Sequence, residues 1–243
     1  MSVAALLLGD SRFPAGGHAH SGGVEPAVTA GTVTGLDSAE LFLRGRLRTA
    51  GLVAAAVAAV ACEHGRVAGG ESAPPVRDDY WDQLDAETDA RTPAPAQREA
   101  SRRQGRALLR AARVAWPDAP WLMQLVPSAG GDPGRPEYRG GRHHPVVLGA
   151  AAAAAGCEPP EAARIAAYQS VAGPVSAAVR LLALDPMRAT AILARLTADI
   201  DRVAGQAASY AAGSPPDLPC PSAPALDLLA ETHIRAEVRL FES

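Results

Sequence analysis

The sequence predicts an all-α protein, a single-domain bundle of roughly eight to ten helices, on three observations. Hydrophobic residues make up 48% of the 243 residues but aromatic residues only 4%, so Ala, Leu and Val must form the core. Alanine has the highest helix propensity of all residues. Apolar residues recur at helical spacing, and no segment alternates apolar and polar residues as a strand does. A chain of this length can bury a sizeable core as one domain.

The N-terminal segment joins a short apolar run to a glycine-rich loop. The run at residues 6–8 is typical of a helix and leads into the glycine loop, residues 11–25. A second helix is predicted to begin near Glu25 and Pro26, because proline in the first turn loses no hydrogen bond and a carboxylate complements the helix dipole. A phosphate-binding loop needs the GxxxxGK[ST] pattern, and this chain has no lysine. We therefore expect no nucleotide site in the loop.

The remaining helices are predicted from caps, breakers and periodicity. Asp37 or Ser38 caps a predicted long, buried helix that ends near residue 63. Further helices are predicted at residues 78–90, 96–116, 143–156, 159–184, 186–207 and 225–241. Gly173-Pro174 should kink or split the helix over residues 159–184, because proline removes a backbone hydrogen bond. Asp185 is a predicted N-cap for the helix that follows it.

The chain divides near residue 212 by composition. Residues 1–212 are predicted to form the helical domain, and residues 213–243 a proline-rich connector with a C-terminal partner-docking segment. The connector lacks apolar periodicity, so we expect it to hold the segment away from the body. In the alternative interpretation the segment folds back as an ordinary last core helix. Residues 128–142 are predicted to form a surface loop.

Charge and motif content exclude several function classes. With 26 acidic and 23 basic residues the net charge is −3, which gives no reason to expect nucleic-acid binding. Three scattered cysteines argue against a disulfide framework or a structural zinc site. No signal-peptide pattern is visible and the apolar run at 52–62 is too short to span a membrane, so we expect a cytoplasmic protein. GxSxG and HExxH are missing, which predicts a protein that is not an enzyme and has no catalytic residue.

Two histidine pairs are the candidate metal ligands. His18 and His20 stand two residues apart in the glycine loop, where they are either exposed loop residues or ligands without a third partner nearby in sequence. His143 and His144 open a predicted helix, and adjacent side chains there point in different directions. They are weak metal candidates. An all-α metal-dependent hydrolase that uses His143 and His144 is the alternative function in the enzyme class.

A stripe of arginines follows one face of the helix predicted at 96–116. Its members stand at four-residue spacing: Arg98, Arg102, Arg106 and Arg110. The stripe is either a solvated helix face or a docking strip for an acidic partner. An Arg-rich RNA-binding module is a further alternative, which the scarcity of aromatic residues disfavours. Gly105 in the same helix is expected to let another helix approach closely.

These residues together resemble the urease accessory protein F family, UreF, over nearly the whole chain. The opening signature of the family is met by Ser11, Phe13, Pro14, Gly16, Gly17, Ser21, Gly23 and Glu25. A middle signature is met by Arg98, Ser101 and Gly105, and residues 143–149, 176–185 and 226–243 resemble three further blocks in order. Many members have aromatic residues where this loop has His18 and His20, which resembles an actinobacterial-type variant.

The resemblance implies a function in urease maturation. UreF proteins are all-α homodimers and non-enzymatic chaperones of nickel delivery to apo-urease. They join the UreD/UreH accessory protein and the UreG GTPase, whose hydrolysis of GTP the complex is thought to gate. GTP and Mg²⁺ would belong to the GTPase, so we expect no cofactor on this chain.

The resemblance also implies candidate contact residues. The GTPase face would comprise Pro14, Gly16, Gly17, Ser21, Gly23 and Glu25; in the alternative, the loop is a purely structural turn. The UreD/UreH partner would bind the C-terminal residues Leu228, Leu229, Arg239, Leu240 and Phe241. Arg180 would lie at or near the dimer interface.

Overall fold

A computed structural model describes residues 2–69, 79–126, 141–236 and 239–241, and these residues form an all-α fold without a strand. It contains ten helices when Leu36–Ala68 is counted as one, which confirms the predicted class and number. The helices are α1 Val3–Gly9, α2 Val24–Thr29, α3 Leu36–Ala68, α4 Tyr80–Ala90, α5 Pro95–Ala115, α6 Trp121–Gln124, α7 His144–Ala154, α8 Pro159–Leu182, α9 Pro186–Ala208 and α10 Pro224–His233. Of the predicted surface loop 128–142, residues 128–140 lie outside the described ranges.

Small residues let α3 and α7 approach closely at the centre of the core. Every residue from Ala55 to Cys62 on α3 is buried, and so is nearly all of α7. A Cβ added at Gly149 of α7 would lie 2.2 Å from the carbonyl oxygen of Ala58, a distance that no side chain tolerates. The alanine-rich composition thus determines the helix spacing, since bulkier side chains would force these helices apart.

Helix α3 is continuous, but its hydrogen bonding widens to a π-helical turn at Leu47–Gly51. At this turn Gly51 faces α8, where an added Cβ would lie 2.7 Å from the Ser170 hydroxyl. By length and composition α3 could cross a membrane, yet 67% of its apolar window is buried inside the fold. This burial is usual for a core helix.

The two predictions around the C-terminal helices have different outcomes. Pro174 lies inside an α8 that continues from Pro159 to Leu182, so of the predicted kink or split the split is wrong. Buried residues on both sides of the proline, among them Val171 and Ala177, hold the helix in the bundle. The predicted N-cap is confirmed, because the Asp185 carboxylate accepts a hydrogen bond from the Met187 N–H at 2.9 Å.

The connector differs from the expectation that it holds the C-terminal segment away from the body. The Arg91 guanidinium donates to the backbone carbonyls of Pro216, Leu218 and Pro219 and fixes the connector to the end of α4. Helix α10 then packs against α2 and α5, and the Glu231 carboxylate accepts the Ala96 N–H at 3.0 Å. Leu226 and Ala230 of α10 are buried, Ala230 against Ala94 and Ala96, as the alternative interpretation of a segment that folds back expects.

Candidate partner-binding site

The glycine loop turns sharply where backbone conformation excludes other residues. Gly16, Gly22 and Gly23 have φ of 72°, 59° and 88°, a region that L side chains rarely adopt. A Cβ at Gly22 would also lie 2.7 Å from the Pro174 ring, so the loop lies directly on α8. Gly17 has no positive φ, and its Cβ would make only an ordinary 3.6 Å contact with Gln104.

Two polar residues of this loop are buried. The Ser21 hydroxyl is fully buried and accepts the Glu25 N–H at 3.3 Å. Glu25 is 7% exposed, although it lies in the first turn of α2 where a carboxylate usually reaches solvent. Burial of an acid requires partners that replace its hydration.

The partners of Glu25 come from the C-terminal end of the chain. Its carboxylate accepts the backbone N–H groups of Leu240 at 2.7 Å and Phe241 at 2.9 Å. The His233 Nε2 lies 3.4 Å from the same carboxylate and 3.2 Å from the Phe241 carbonyl oxygen. We refer to Glu25, His233, Leu240 and Phe241 as the tail contact.

The tail contact extends to Arg180 on α8. The Arg180 guanidinium lies over the Phe241 ring, 4.6 Å from its centroid, a cation–π arrangement. The structure therefore brings together members of three candidate sets that are far apart in sequence: the GTPase face, the dimer contact and the C-terminal segment. The assignment of Arg180 to a dimer interface stays a prediction.

The remaining candidate residues divide into inward and outward groups. Pro14 is exposed, whereas Gly16 packs against Ala107 of α5. Of the C-terminal residues, Phe241 is buried and Leu229 packs against the cluster of Ala27, Val33 and Ala39. Leu228, Leu240 and Arg239 are exposed, Leu228 by 70% and Leu240 by 67%. Only this outward group is free to contact another protein without unfolding the tail.

The arginine stripe is not solvated along its whole length, because Arg102 is only 3% exposed. Its guanidinium donates to the Asp85 and Asp89 carboxylates of α4, both at 2.6 Å, and to the Gly141 carbonyl oxygen. Its burial corrects the solvated-face interpretation at this position. The sequence signal for this burial is the pair of acids four residues apart on α4, Asp85 and Asp89, which needs a cation from a neighbouring helix.

His143 completes a buried group with these residues. Its Nε2 lies 2.8 Å from the Asp89 carboxylate, its Nδ1 lies 3.0 Å from the Ser101 hydroxyl, and its backbone N–H donates to Asp85 at 2.8 Å. We refer to Asp85, Asp89, Arg102 and His143 as the ion network. Burial opposes ionisation of Asp89, but the hydrogen bond from His143 and the charge of Arg102 outweigh it and lower the pKa of this carboxyl.

The ion network is a poor metal site despite its composition. Ligand atoms of Asp85, Asp89 and His143 lie within 4.8 Å of one another. Both carboxylates, however, already bind the Arg102 guanidinium, whose charge would repel a cation there. Gly105 explains the tight packing, since a Cβ there would lie 2.1 Å from the Arg142 carbonyl oxygen next to His143. The network therefore joins α4, α5 and the start of α7.

Comparison with known proteins identifies the family. The UreF family model matches residues 33–197. The urease accessory protein UreF of Mycobacterium marinum is 43% identical over 238 residues, covering 98% of this chain and 97% of that protein. UreF of Mycobacterium tuberculosis H37Rv is 43% identical over 243 residues, covering 100% of this chain and 99% of that protein. This chain therefore belongs to the UreF family of urease accessory proteins.

Proposed function

We propose that this protein is a non-enzymatic cytoplasmic chaperone that joins the UreD/UreH protein and the UreG GTPase in a complex that delivers nickel to apo-urease and regulates the GTPase. The observation that supports this most directly is the tail contact, where the glycine loop and the C-terminal segment meet beside Arg180. A partner that moves the C-terminal segment also alters the glycine loop. Binding of UreD/UreH to the segment would therefore be coupled to binding of UreG to the loop.

The surface beside the tail contact suits a helix or loop of the UreD/UreH partner. A groove of about 930 Å³ lies between α2, α3 and α10, and its lining is mainly apolar. Leu41 on one wall and Leu228 on the other are 72% and 70% exposed. Burying one such leucine contributes about 1.5–3 kcal/mol, which is the energy scale of an interface anchor.

Capture of purified partners tests this part of the proposal. Leu228→Asp should reduce UreD/UreH capture at least tenfold, because it places a charge in the groove, whereas Met187→Asp is the matched control at a residue 82% exposed on α9. Equal capture by both variants would show that the groove is not the docking surface. Failure of the wild-type protein to capture either partner would refute the proposed function itself.

The GTPase face is tested at Gly17, which the structure leaves free of backbone strain. Gly17→Val should weaken UreG capture while the helical circular-dichroism signal stays unchanged, because a branched side chain would alter the loop surface beside Gln104. If Gly17→Val loses UreG capture and the helical circular-dichroism signal together, the loop has only a structural role.

The proposed homodimer is tested separately by light scattering of the wild-type protein and of Arg180→Asp at micromolar concentration. A dimer that the substitution dissociates supports the proposal, and a monomeric wild-type protein contradicts it.

A further inference from the structure

The polar side chains that line the groove between α2, α3 and α10 have partners within the chain, but Arg46 keeps two donors without one. The Glu25 carboxylate and the His233 ring belong to the tail contact. The threonines of the lining donate their hydroxyls to backbone carbonyls of their own segments: Thr29, Thr32, Thr49 and Thr232. Neither Nη atom of Arg46 has an acceptor among the described residues, and no described carboxylate pairs with its guanidinium.

Arg46 differs in this respect from the other arginines of α3. Those three each pair with at least one carboxylate: Arg44, Arg48 and Arg66. Burial without such a partner lowers the pKa of Arg46 to about 10, well below its ordinary value. The side chain is therefore still a cation at neutral pH, and it is the one arginine of this helix whose charge the chain does not balance.

The Arg46 guanidinium is held in place by α8 and the glycine loop. Pro174 has no N–H, which leaves the Ser170 carbonyl oxygen without its helical donor, and the Arg46 Nε donates to this oxygen at 3.0 Å. A Cβ at Gly22 would lie 3.2 Å from the Cζ and Nε atoms of Arg46, so the loop backbone lies against the same guanidinium. These contacts occupy Nε and leave Nη1 and Nη2 to bind a ligand end-on.

We infer that the groove recognises a partner segment by two features: an apolar face that packs between Leu41 and Leu228, and an Asp or Glu side chain whose carboxylate binds Nη1 and Nη2 of Arg46. This inference rests on the proposed function, because it specifies the segment of the UreD/UreH partner that would occupy the groove. Two parallel hydrogen bonds between guanidinium and carboxylate give geometric specificity as well as energy.

Occupation of the groove is what makes the carboxylate necessary. In the unbound chain Arg46 is half-buried, so water still reaches part of the side chain. An apolar segment packed over it would remove this water and leave a buried cation without a counter-charge, which is costly. A carboxylate on the segment replaces the water. The groove therefore favours an acidic apolar segment over a neutral one of the same shape, and Arg46 determines that specificity.

Calorimetric titration of the full-length protein with purified UreD/UreH tests the inference. Arg46→Met should bind at least tenfold more weakly than wild type, and Arg46→Lys, which keeps the charge, should bind more tightly than Arg46→Met. Arg48→Met is the matched control and should bind within twofold of wild type, because Arg48 lies on the same helix, has a side chain 53% exposed and does not line the groove. Raising NaCl from about 0.05 M to about 0.5 M should weaken wild type more than Arg46→Met, since salt screens charge pairs.

A double-mutant cycle identifies the partner carboxylate. Exposed Asp and Glu residues of UreD/UreH are changed to Asn or Gln one at a time. One change should weaken binding to wild type at least tenfold and have little further effect on Arg46→Met. If Arg46→Met lacks the native circular-dichroism spectrum, Arg46→Lys takes its place in the cycle.

Three outcomes would overturn the inference and leave the proposed function intact: wild-type affinity in the Arg46 variants, no partner carboxylate coupled to Arg46, or stabilisation of the isolated chain by inorganic phosphate that Arg46→Met abolishes. The last outcome would assign the guanidinium to a free anion. Failure of wild type to bind UreD/UreH at all would instead refute the proposed function.

Discussion

The ion network and the tail contact both bury carboxylates, but they satisfy them in different ways. In the ion network, Asp85 and Asp89 bind a guanidinium and an imidazole carried on helices of the body. In the tail contact, Glu25 accepts the backbone N–H groups of Leu240 and Phe241, and the His233 imidazole lies 3.4 Å from the same carboxylate. Backbone N–H groups occur in every segment, so another segment could take the place of the tail, whereas Arg102 is a buried side chain fixed on a helix of the body. The first arrangement therefore stabilises the fold, and the second suits exchange with a partner.

The largest expected effect comes from breaking the ion network. Arg102→Ala leaves the buried Asp85 and the partly buried Asp89 without the guanidinium that binds both, and should lower the free energy of unfolding by about 3–5 kcal/mol. Arg98→Ala is the control from the same stripe, with a side chain 39% exposed and 3.8 Å from Asp89, and should cost less than about 1 kcal/mol. Urea unfolding followed by circular dichroism measures both. Similar decreases in the free energy of unfolding in the two variants would show that the burial of Arg102 does not matter. The ion network would then not differ from the tail contact as a stabilising group.

Local signals predicted most of the fold but not these two polar groups. Helix positions followed from caps and periodicity, as with Asp185 and α9, because both depend on residues within one or two turns. The four-residue spacing places the arginines on one face of α5, but spacing does not reveal which helix covers Arg102, because Asp85 lies 17 residues away on α4. The glycine loop and the C-terminal residues were selected through the resemblance. Their contact was not predicted, since Glu25 and Leu240 are 215 residues apart.

An intermediate effect is expected from breaking the tail contact. Glu25→Gln offers one acceptor where the carboxylate offered two, and a charge-assisted hydrogen bond contributes about 1.5–3 kcal/mol. Hydrogen exchange at the Leu240 and Phe241 amides should therefore accelerate at least tenfold, while amides in α3 and α7 keep their protection. Glu99→Gln is the control at an exposed position on α5, and it should leave hydrogen exchange unchanged both at the Leu240 and Phe241 amides and in α3 and α7. If the variant instead unfolds as a whole, to the extent expected for Arg102→Ala, then the tail is part of the core and is not exchangeable.

The smallest expected effect is a pH dependence confined to the ion network. The pKa of Asp89 in the folded protein lies below its usual 3.8, because the His143 hydrogen bond and the nearby charges of Arg102 and Arg98 outweigh the opposing effect of burial. A carboxyl with a depressed folded pKa contributes stability that is fully present above the unfolded value and is lost as pH falls through the folded one. The difference in unfolding free energy between wild type and Asp89→Asn should therefore stay constant from about pH 7 to pH 5 and narrow below about pH 4. Urea unfolding across this range measures the difference. A gap that stays constant to about pH 2 would mean that Asp89 does not supply the charge that holds Arg102, and would assign that role to Asp85 alone.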